Sequence, residues 1–517
     1  MCPLASRRLH WILTRVVFAA PLAFFMDIDS GVILNRFSQD ISIIDYQLPI
    51  ALLQSVHYIF EVLWSLTLLC YATYYLVAFV PFLGVVVYAI QKFYLRTSRQ
   101  IRVLDLELQS PLVAQFSETI EGLATIRAFG WQEKSLKAFL DRLDASQRPF
   151  YLLYCIQRWL NFVMDIVVAC IAVLLVSFGT HFKSTTSGAA VGVGLLNVLN
   201  FGQNVAALIE HWTSLETSIG AVARLKQLEA DIKPETFPSE ASKPPENWPK
   251  GGAVSFHNVS ASYKANSSPV LHEINLEIRA GEKIGLSGRT GSGKSTMIGL
   301  LFRLIPEHTG TITIDDQDLS LLPREKIRSS IIAIPQEPFL LSGSVRFNAT
   351  PLTANIMPEA ESQRFKAPEA AMITCSNLVQ SVSDETVIGA LKRVSLWDQI
   401  ERSGGLSEPI DSVGLSHGQK QLFCLARALL RKGDCKILVL DEATSSVDKH
   451  TDAVMRKVIE EEFREHTVIS VAHRLSSLSW CDRVVMLDKG KVVEFGRPED
   501  LVQKEDGWWK ALWDAQN

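Results

Sequence analysis

The chain has 517 residues, of which 48% are hydrophobic and 21% are charged, and its formal net charge is −4 at pH 7. This length allows two or three domains, and the slightly acidic balance excludes a basic nucleic-acid-binding protein, so no nucleic-acid partner is expected. The mean hydropathy of +0.15 is high for a soluble enzyme, and long apolar runs in the N-terminal half account for it. The eight cysteines show neither paired nor metal-binding spacing, which predicts reduced thiols.

Four segments of the N-terminal half are long and apolar enough to cross a bilayer as helices. A hydrocarbon core of about 30 Å takes about 20 apolar residues. The segments are residues 49–72, 74–95, 159–179 and 188–209. A buried core helix is the alternative for each, and it is reasonable only for the fourth, the least apolar. We therefore predict a multi-pass transmembrane domain over residues 1–230, with the lipid bilayer as a partner.

Basic residues predict how these spans are oriented. The stretch between the second and third spans is rich in Lys and Arg, whereas the turns on the other side carry only His181 and Lys183. Positive loops lie on the cytosolic side. The N-terminus and the whole C-terminal half are therefore expected to be cytosolic.

The spans also carry polar side chains at helical spacing. These are Gln54, His57 and Glu61 in the first span, Asn161 and Asp165 in the third, and Asn197, Asn200 and Asn204 in the fourth. A charge at the bilayer centre costs roughly 3 kcal/mol, so these faces are expected to look inward. Either a polar translocation path or hydrogen bonds between helices would explain them. The two alternatives weigh equally for the asparagines, and the path is favoured for Glu61 and Asp165.

Residues 231–250 form a proline-rich linker. Prolines among charged and small residues favour extended conformations and are expected to resist packing. We predict the domain boundary here. From residue 251 to 517, short β-rich runs alternate with helical runs, which indicates an α/β domain with a largely parallel sheet.

A glycine-rich phosphate-binding loop, or P-loop, lies between a strand predicted over residues 283–287 and a helix predicted over 297–304. It consists of Gly288, Arg289, Thr290, Gly291, Ser292, Gly293, Lys294, Ser295 and Thr296. Glycines let backbone N–H groups approach phosphate oxygens, and the helix N-terminus adds partial positive charge. Lys294 is predicted to reach the outer phosphates and the Ser295 hydroxyl to hold Mg²⁺.

Polar residues that follow predicted strands complete a hydrolytic site. Gln336 follows the strand at 331–334 and is predicted to contact Mg²⁺ and the attacking water. Asp441 ends the apolar strand at 437–440 and is predicted to reach Mg²⁺ through water, while Glu442 orients or deprotonates the attacking water. His473 follows the strand at 468–471, where it could contact a γ-phosphate. Alone, Gln336 and His473 would be ordinary surface or capping residues; their order after the P-loop favours the site.

A second anion site is predicted at the start of a helix over residues 420–430. Ser416, Gly418 and Gln419 precede that helix, and the Ser416 hydroxyl together with helix N–H groups can bind phosphate oxygens.

These motifs and several longer strings resemble the ATP-binding cassette (ABC) transporters. The chain most resembles the second half of subfamily C, the multidrug-resistance-associated type, and its sequence resembles the fungal members. The strings are Gly31–Asp40, Phe93–Gln100, Glu118–Gly130 and Gln421–Leu430. The resemblance implies a helical transmembrane bundle of the ABC exporter type followed by an α/β P-loop cassette that binds ATP and Mg²⁺.

The resemblance also implies roles by position. Tyr263 matches the aromatic residue that stacks on adenine, Gln336 the coupling loop, and Asp448 the loop that communicates across a cassette dimer. Residues 24–30 and 129–134 match the coupling helices. In the family, ATP lies between the P-loop of one cassette and the Ser416-type signature of another, so a second ABC half is an expected partner, either an N-terminal half or another copy of this chain.

The sequence departs from the family pattern at three points. The family has six spans per half, so four spans imply that the first two are missing, and residues 1–47 resemble the cytosolic tail of the second. His417 stands where many signatures have glycine. Residues 354–381 are an apparent insertion to which no function is assigned.

The predicted function is ATP-driven export or sequestration of amphipathic organic anions, conjugates or drugs, with ATP hydrolysis once a second cassette is paired. A nucleotide-sensing regulatory subunit and a truncated, inactive transporter fragment are the alternatives. Intact Glu442 favours turnover. The plasma membrane and the vacuolar membrane are both consistent with the sequence.

Overall fold

The computed structural model describes residues 2–28, 30–72, 74–181, 188–237, 239–240, 242–263, 267–305, 307–351, 382–443, 447–472, 475–504 and 507–516. The chain divides into two compact units, Met1–Phe18 with Asp29–Ile232, and Ala19–Ile28 with Lys233–Asn517. Residues 19–28, predicted within the transmembrane domain, thus group with the second unit, where Glu235 N donates to Ala19 O at 2.7 Å. The predicted insertion and His473 lie outside the described residues.

The described part of the first unit is helical. Its elements are α1 (Cys2–Phe18), α3 (Ser30–Asn35), π-helical turns Arg36–Asp40 and Ile43–Gln47, α4 (Leu48–Ala72), a 3-10 turn Tyr74–Phe79, α5 (Val80–Glu121), α6 (Leu123–Ala128), α7 (Gln132–His181) and α8 (Gly188–Asp231). The helix α2 (Leu22–Asp27) lies between α1 and α3 in the chain but groups with the second unit.

The prediction of four spans is confirmed, because four helical segments of the described chain are long and apolar enough to cross a membrane. Three of the helices are much longer than the predicted spans. α5, α7 and α8 have 42, 50 and 44 residues. At about 1.5 Å per residue, each exceeds a hydrocarbon core of about 30 Å by a factor of two or more.

Close packing of α4, α5, α7 and α8 forms the larger buried cluster of the first unit. Buried Leu160 and Val198 belong to this core. Gly202 of α8 lies against α7 so closely that an added Cβ would be 2.1 Å from Val168 Cγ2. Such small residues allow membrane helices to approach one another.

The polar residues of the spans have different surroundings. Asn197 of α8 donates from Nδ2 to Ser65 O of α4 at 2.8 Å, which is the predicted hydrogen bond between helices. His57 and Asp165, expected to look inward, are exposed in this chain, and Glu61 is half-buried. A translocation path along their faces stays a prediction.

Two sheets organise the second unit. The antiparallel sheet has the order β2-β1-β4-β5 and the larger sheet the order β10-β9-β3-β8-β7-β6. The strands are β1 (Val254–Ser262), β2 (Leu271–Ile278), β3 (Lys283–Gly288), β4 (Glu307–Ile314), β5 (Gln317–Asp318), β6 (Ile331–Ile334), β7 (Ile437–Asp441), β8 (Thr467–Val471), β9 (Arg483–Asp488) and β10 (Lys491–Gly496). In the larger sheet, β10 pairs antiparallel with β9, and the other described pairs are parallel.

Helices flank these sheets. They are α9 (Lys294–Leu301), α10 (Arg324–Ser329), α11 (Val345–Ala349), α12 (Asp384–Arg393), α13 (Trp397–Ser403), α14 (His417–Arg431), α15 (Lys449–Glu462), α16 (Pro498–Gln503) and α17 (Trp508–Gln516). Strands β7 and β8 are buried along almost their whole length, as their continuous apolar sequence predicts. Because β3, β6, β7 and β8 of the larger sheet run parallel to one another, they end at the same edge of that sheet. Lys294, Gln336, Asp441 and Glu442 lie at or beyond the ends of three of these strands.

The linker packs more tightly than its composition predicts. Trp248 is buried, and its Nε1 donates to Ile314 O at 3.0 Å. Glu240 is buried as well and forms ion pairs with two arginines. The expectation that residues 231–250 resist packing is therefore wrong at Trp248 and Glu240, whose side chains are buried in the second unit.

Candidate functional site

The loop between β3 and α9 has the backbone geometry that its glycines permit. Gly293 caps α9 at φ +104°, in the left-handed region that favours glycine. An added Cβ there would lie 2.5 Å from Leu271 Cδ2, and one at Gly288 would lie 2.2 Å from Leu487 O. The helix begins at Lys294, earlier than predicted, so the N–H groups of its first turn belong to the loop itself.

Lys294 lies inside this loop. Its side chain is buried, and Nζ donates to Gly288 O at 2.8 Å and to Arg289 O at 3.2 Å. Burial lowers the pKa of the amine, while the negative charges of Glu442 and Asp441 oppose that shift. The loop therefore holds a cation close to two carboxylates of another strand.

Two observations show that the loop fits an oxyanion. The buried Ser292 Oγ has no hydrogen-bond partner in the structure, although a buried hydroxyl is normally paired. Around Gly291, no atom lies within 4 Å of an added Cβ. Arg289, Thr290 and Ser295 are exposed around the same space. Phosphate oxygens would satisfy these donors.

The strand-end carboxylates lie where the sequence predicts. Asp441 pairs with Val471 of β8, and Glu442 N donates to Val471 O at 3.0 Å. Glu442 has φ +49°, a conformation uncommon outside glycine and frequent at functional sites. Burial raises the pKa of Asp441, the neighbouring Glu442 raises it further, and Lys294 opposes both effects. The structure thus brings Lys294, Asp441 and Glu442 together.

Gln336 follows β6, as predicted, and its side chain is exposed. Its backbone oxygen accepts a hydrogen bond of 2.6 Å from Gln421 Nε2, which also donates to Pro335 O at 3.1 Å. Gln421 is only 1% exposed, on the apolar face of α14. Sequence reasoning did not assign a role to Gln421, although an amide on the buried face of an amphipathic helix was the available signal.

The predicted second anion site is the N-terminus of α14. Ser416 Oγ accepts from Gln419 N at 3.3 Å, and Gln419 Oε1 accepts from Ser416 N at 2.9 Å, which is a capping box. Gly418 is half-buried, and a Cβ added to it would lie 3.5 Å from side-chain carbons of Val447 and Thr451. Among the described residues, no hydrogen bond or ion pair joins this helix end to the P-loop.

Tyr263 and Asp448 have contacts that the sequence alone did not indicate. The Tyr263 hydroxyl lies 3.0 Å from Thr296 Oγ1, so its ring is beside the P-loop helix. Asp448 caps α15 by accepting from His450 N and Thr451 N, both at 3.1 Å. Stacking of Tyr263 on adenine and communication through Asp448 stay predictions.

The donor set is suited to Mg²⁺ bound together with phosphate. Within the described residues there is no group of three or more His, Cys, Asp or Glu side chains that could hold a metal ion. Mg²⁺ usually takes one or two protein ligands, phosphate oxygens and waters rather than a complete protein cage. The hydroxyl of Ser295, the amide of Gln336 and the carboxylate of Asp441 are compatible with that pattern.

Comparisons with known proteins match both units. A family model described as "ABC transporter transmembrane region" matches residues 2–207, and one described as "ABC transporter" matches residues 271–445. The chain is 44% identical over 513 residues to ABC multidrug transporter B of Aspergillus fumigatus, covering 99% of this chain and 33% of that protein. It is 42% identical over 494 residues to ABC transporter gloK of Glarea lozoyensis, covering 96% of this chain and 35% of that protein.

The chain spans about a third of the length of these two fungal relatives. A bacterial Atm1-family ABC exporter solved with ATP bound has the same fold, with a TM-score of 0.81 and 20% identity. The similarity covers 100% of this chain and 85% of that chain. At this identity the likeness concerns the fold, namely a helical transmembrane unit followed by an α/β cassette.

Proposed function

The chain belongs to the ABC transporter family, and on this premise we propose that it is one half of an ATP-driven membrane exporter. The observation that carries the proposal is the buried Lys294 inside a glycine loop, close to Asp441 and Glu442. A cation, loop donors and two carboxylates at one sheet edge suit the binding and hydrolysis of a nucleoside triphosphate. The four candidate spans on the same chain supply a membrane unit.

The residues of the site divide the work of hydrolysis. Lys294 and the loop N–H groups bind phosphate oxygens, and the ring of Tyr263 stacks on the adenine. Glu442 orients the attacking water and accepts its proton, and Gln336 is proposed as a second contact of that water. Mg²⁺, held by Ser295, Gln336 and, through water, Asp441, would neutralise phosphate charge. His473 is proposed as a further contact of the outer phosphate.

A second ABC half is proposed as the partner. Ser416 lies exposed at the start of α14, where its hydroxyl accepts from Gln419 N and remains open to solvent, so it can face the nucleotide of another cassette. Similarity to fungal multidrug transporters about three times as long supports a subfamily C type of assembly in which this chain corresponds to the second half. The membrane is the plasma or vacuolar membrane, with the cassette in the cytosol, and the substrates are amphipathic or anionic small molecules.

Vesicle transport tests this proposal. The chain, coexpressed with a first half from a fungal relative, would be assayed in inside-out vesicles for uptake of a labelled glutathione conjugate. We expect uptake that requires hydrolysable ATP and is lost in Glu442→Gln. A regulatory subunit would bind ATP without uptake. Equal uptake with a non-hydrolysable analogue would contradict an ATP-driven exporter.

A further inference from the structure

Five charged side chains fasten the linker to the cassette, and we refer to Glu235, Glu240, Arg303, Arg324 and Arg328 as the linker clamp. Glu240 Oε1 lies 3.0 Å from Arg324 Nε and 3.2 Å from Arg303 Nη2. Glu235 Oε1 lies 3.1 Å from Arg324 Nη1, and Glu235 also pairs with Arg328. One arginine thus bridges both glutamates.

The linker clamp is more than a surface ion pair. The side chains of Glu240, Arg324 and Arg303 are 2%, 3% and 9% exposed. Charges that are this buried are retained only when they are paired, and losing one partner leaves the other uncompensated. Burial raises the pKa of Glu235, but the hydrogen bonds and charges of Arg328 and Arg324 outweigh it and lower the pKa overall. The glutamate is therefore held in its ionised, bonded form.

On the cassette side, the linker clamp is hydrogen-bonded to the C-terminal end of α9, the helix that follows the P-loop. Arg303 follows the C-cap of α9, and Arg324 Nη1 donates to Arg303 O at 3.0 Å. Arg328 Nε donates to Phe302 O, the C-cap of α9, at 3.0 Å. The opposite end of α9 carries Lys294. The linker is thus bonded to one end of a rigid helix whose other end forms the phosphate loop.

Two arginines of the linker clamp belong to the helix that precedes the strand before Gln336. Arg324 and Arg328 belong to α10, and α10 is followed at once by β6 (Ile331–Ile334). Gln336 lies just beyond that strand. The helix α9, which carries Lys294, and the segment α10–β6, which leads to Gln336, therefore connect to the same pair of linker glutamates.

On the other side, the linker continues directly from the last membrane-unit helix. α8 ends at Asp231, and Glu235 follows within the next few residues. A residue of extended chain spans at most about 3.6 Å, so this short stretch allows little slack. Displacement of either end would be transmitted through the linker clamp.

We propose that Glu235 and Glu240 are positioning residues through which nucleotide binding at the P-loop is transmitted to the C-terminal end of α8. The inference rests on the proposed function, because it requires the loop to bind MgATP. It adds a connection along the chain itself. Neither glutamate belongs to the P-loop; they act through their ion pairs with Arg303, Arg324 and Arg328.

Hydrogen–deuterium exchange of the full chain in detergent, with and without MgATP, tests this inference. In the wild type, MgATP is expected to slow amide exchange in peptides covering residues 233–242 by about fivefold, the lower end of typical coupling. Glu240→Gln should abolish this slowing while MgATP affinity stays within about twofold. Glu235→Gln, at a less buried position, should do the same and serves if Glu240→Gln does not fold. Glu246→Gln, an exposed linker residue with the same charge change, should behave as the wild type.

The outcomes separate the inference from the proposed function. If the wild type binds MgATP but its linker exchange does not change, or if both glutamine variants keep the response, the linker clamp does not transmit binding. A merely structural role would lower thermal stability in the variants and leave the MgATP response intact, which also overturns the inference. Failure of the wild type to bind MgATP would contradict the proposed function itself.

Discussion

Replacing Lys294 by alanine tests the phosphate loop most sharply. The wild-type amine is buried and donates to Gly288 O and Arg289 O. A hydrogen bond to a charged group contributes about 1.5–3 kcal/mol, which corresponds to roughly ten- to 150-fold in affinity. Because the amine exchanges its bonds to the two carbonyls for bonds to phosphate, we expect the lower part of this range. Lys294→Ala should therefore weaken MgATP binding by about ten- to thirtyfold.

The assay is titration of the full chain in detergent with a fluorescent ATP analogue. Lys283→Ala is the matched control, because Lys283 lies at the other end of β3 and its Nζ donates to Gly281 O at 2.7 Å and His466 O at 3.2 Å. The control should lose stability and keep nucleotide affinity. Equal affinities for wild type and Lys294→Ala, or an equal loss in both variants, would refute the assignment of the loop.

Three further outcomes are expected. Gln421→Leu removes the amide that donates to the backbone oxygens of Pro335 and Gln336. Hydrolysis by the paired cassettes should therefore fall about tenfold with MgATP affinity retained. A parallel loss of affinity would contradict this role. Asp441→Asn should raise the melting temperature at neutral pH while abolishing turnover. Folding raises the pKa of Asp441, so the ionised carboxylate destabilises the wild-type fold at neutral pH, and this destabilisation disappears as the pH falls through the raised pKa. A lower melting temperature of the variant would refute the reasoning. Gly202→Ala should cost about 1–3 kcal/mol in thermal unfolding, whereas Gly192→Ala, with nothing within 4 Å, should be neutral; equal effects would contradict the close helix contact.

Much of the architecture follows from local sequence patterns. Continuous apolar runs predict both the four spans and the buried strands β6, β7 and β8, and the polar residues at the strand ends then fall at one edge of the parallel sheet. Asp441 and Glu442 lie beside Lys294 because β3 and β7 both neighbour β8. Such local signals suffice when each element is buried by its own side chains.

The contacts that the sequence did not reveal are long-range. Glu240 and Arg324 are far apart in the chain, and composition alone marks the linker as polar and proline-rich. Gln421 is hidden among apolar positions, and its partners are carbonyl groups that any residue could supply. The spans were underestimated in length because apolarity ends at the bilayer surface, whereas helix hydrogen bonding in α5, α7 and α8 does not.

Phosphate release by the chain paired with a second half in lipid nanodiscs is the most direct measurement of the proposed ATPase site. A general base contributes about a hundredfold or more to turnover, so Glu442→Gln should lower phosphate release by at least that factor with MgATP affinity retained. Unchanged turnover in Glu442→Gln, or wild-type membranes that release no phosphate while binding MgATP, would contradict the account.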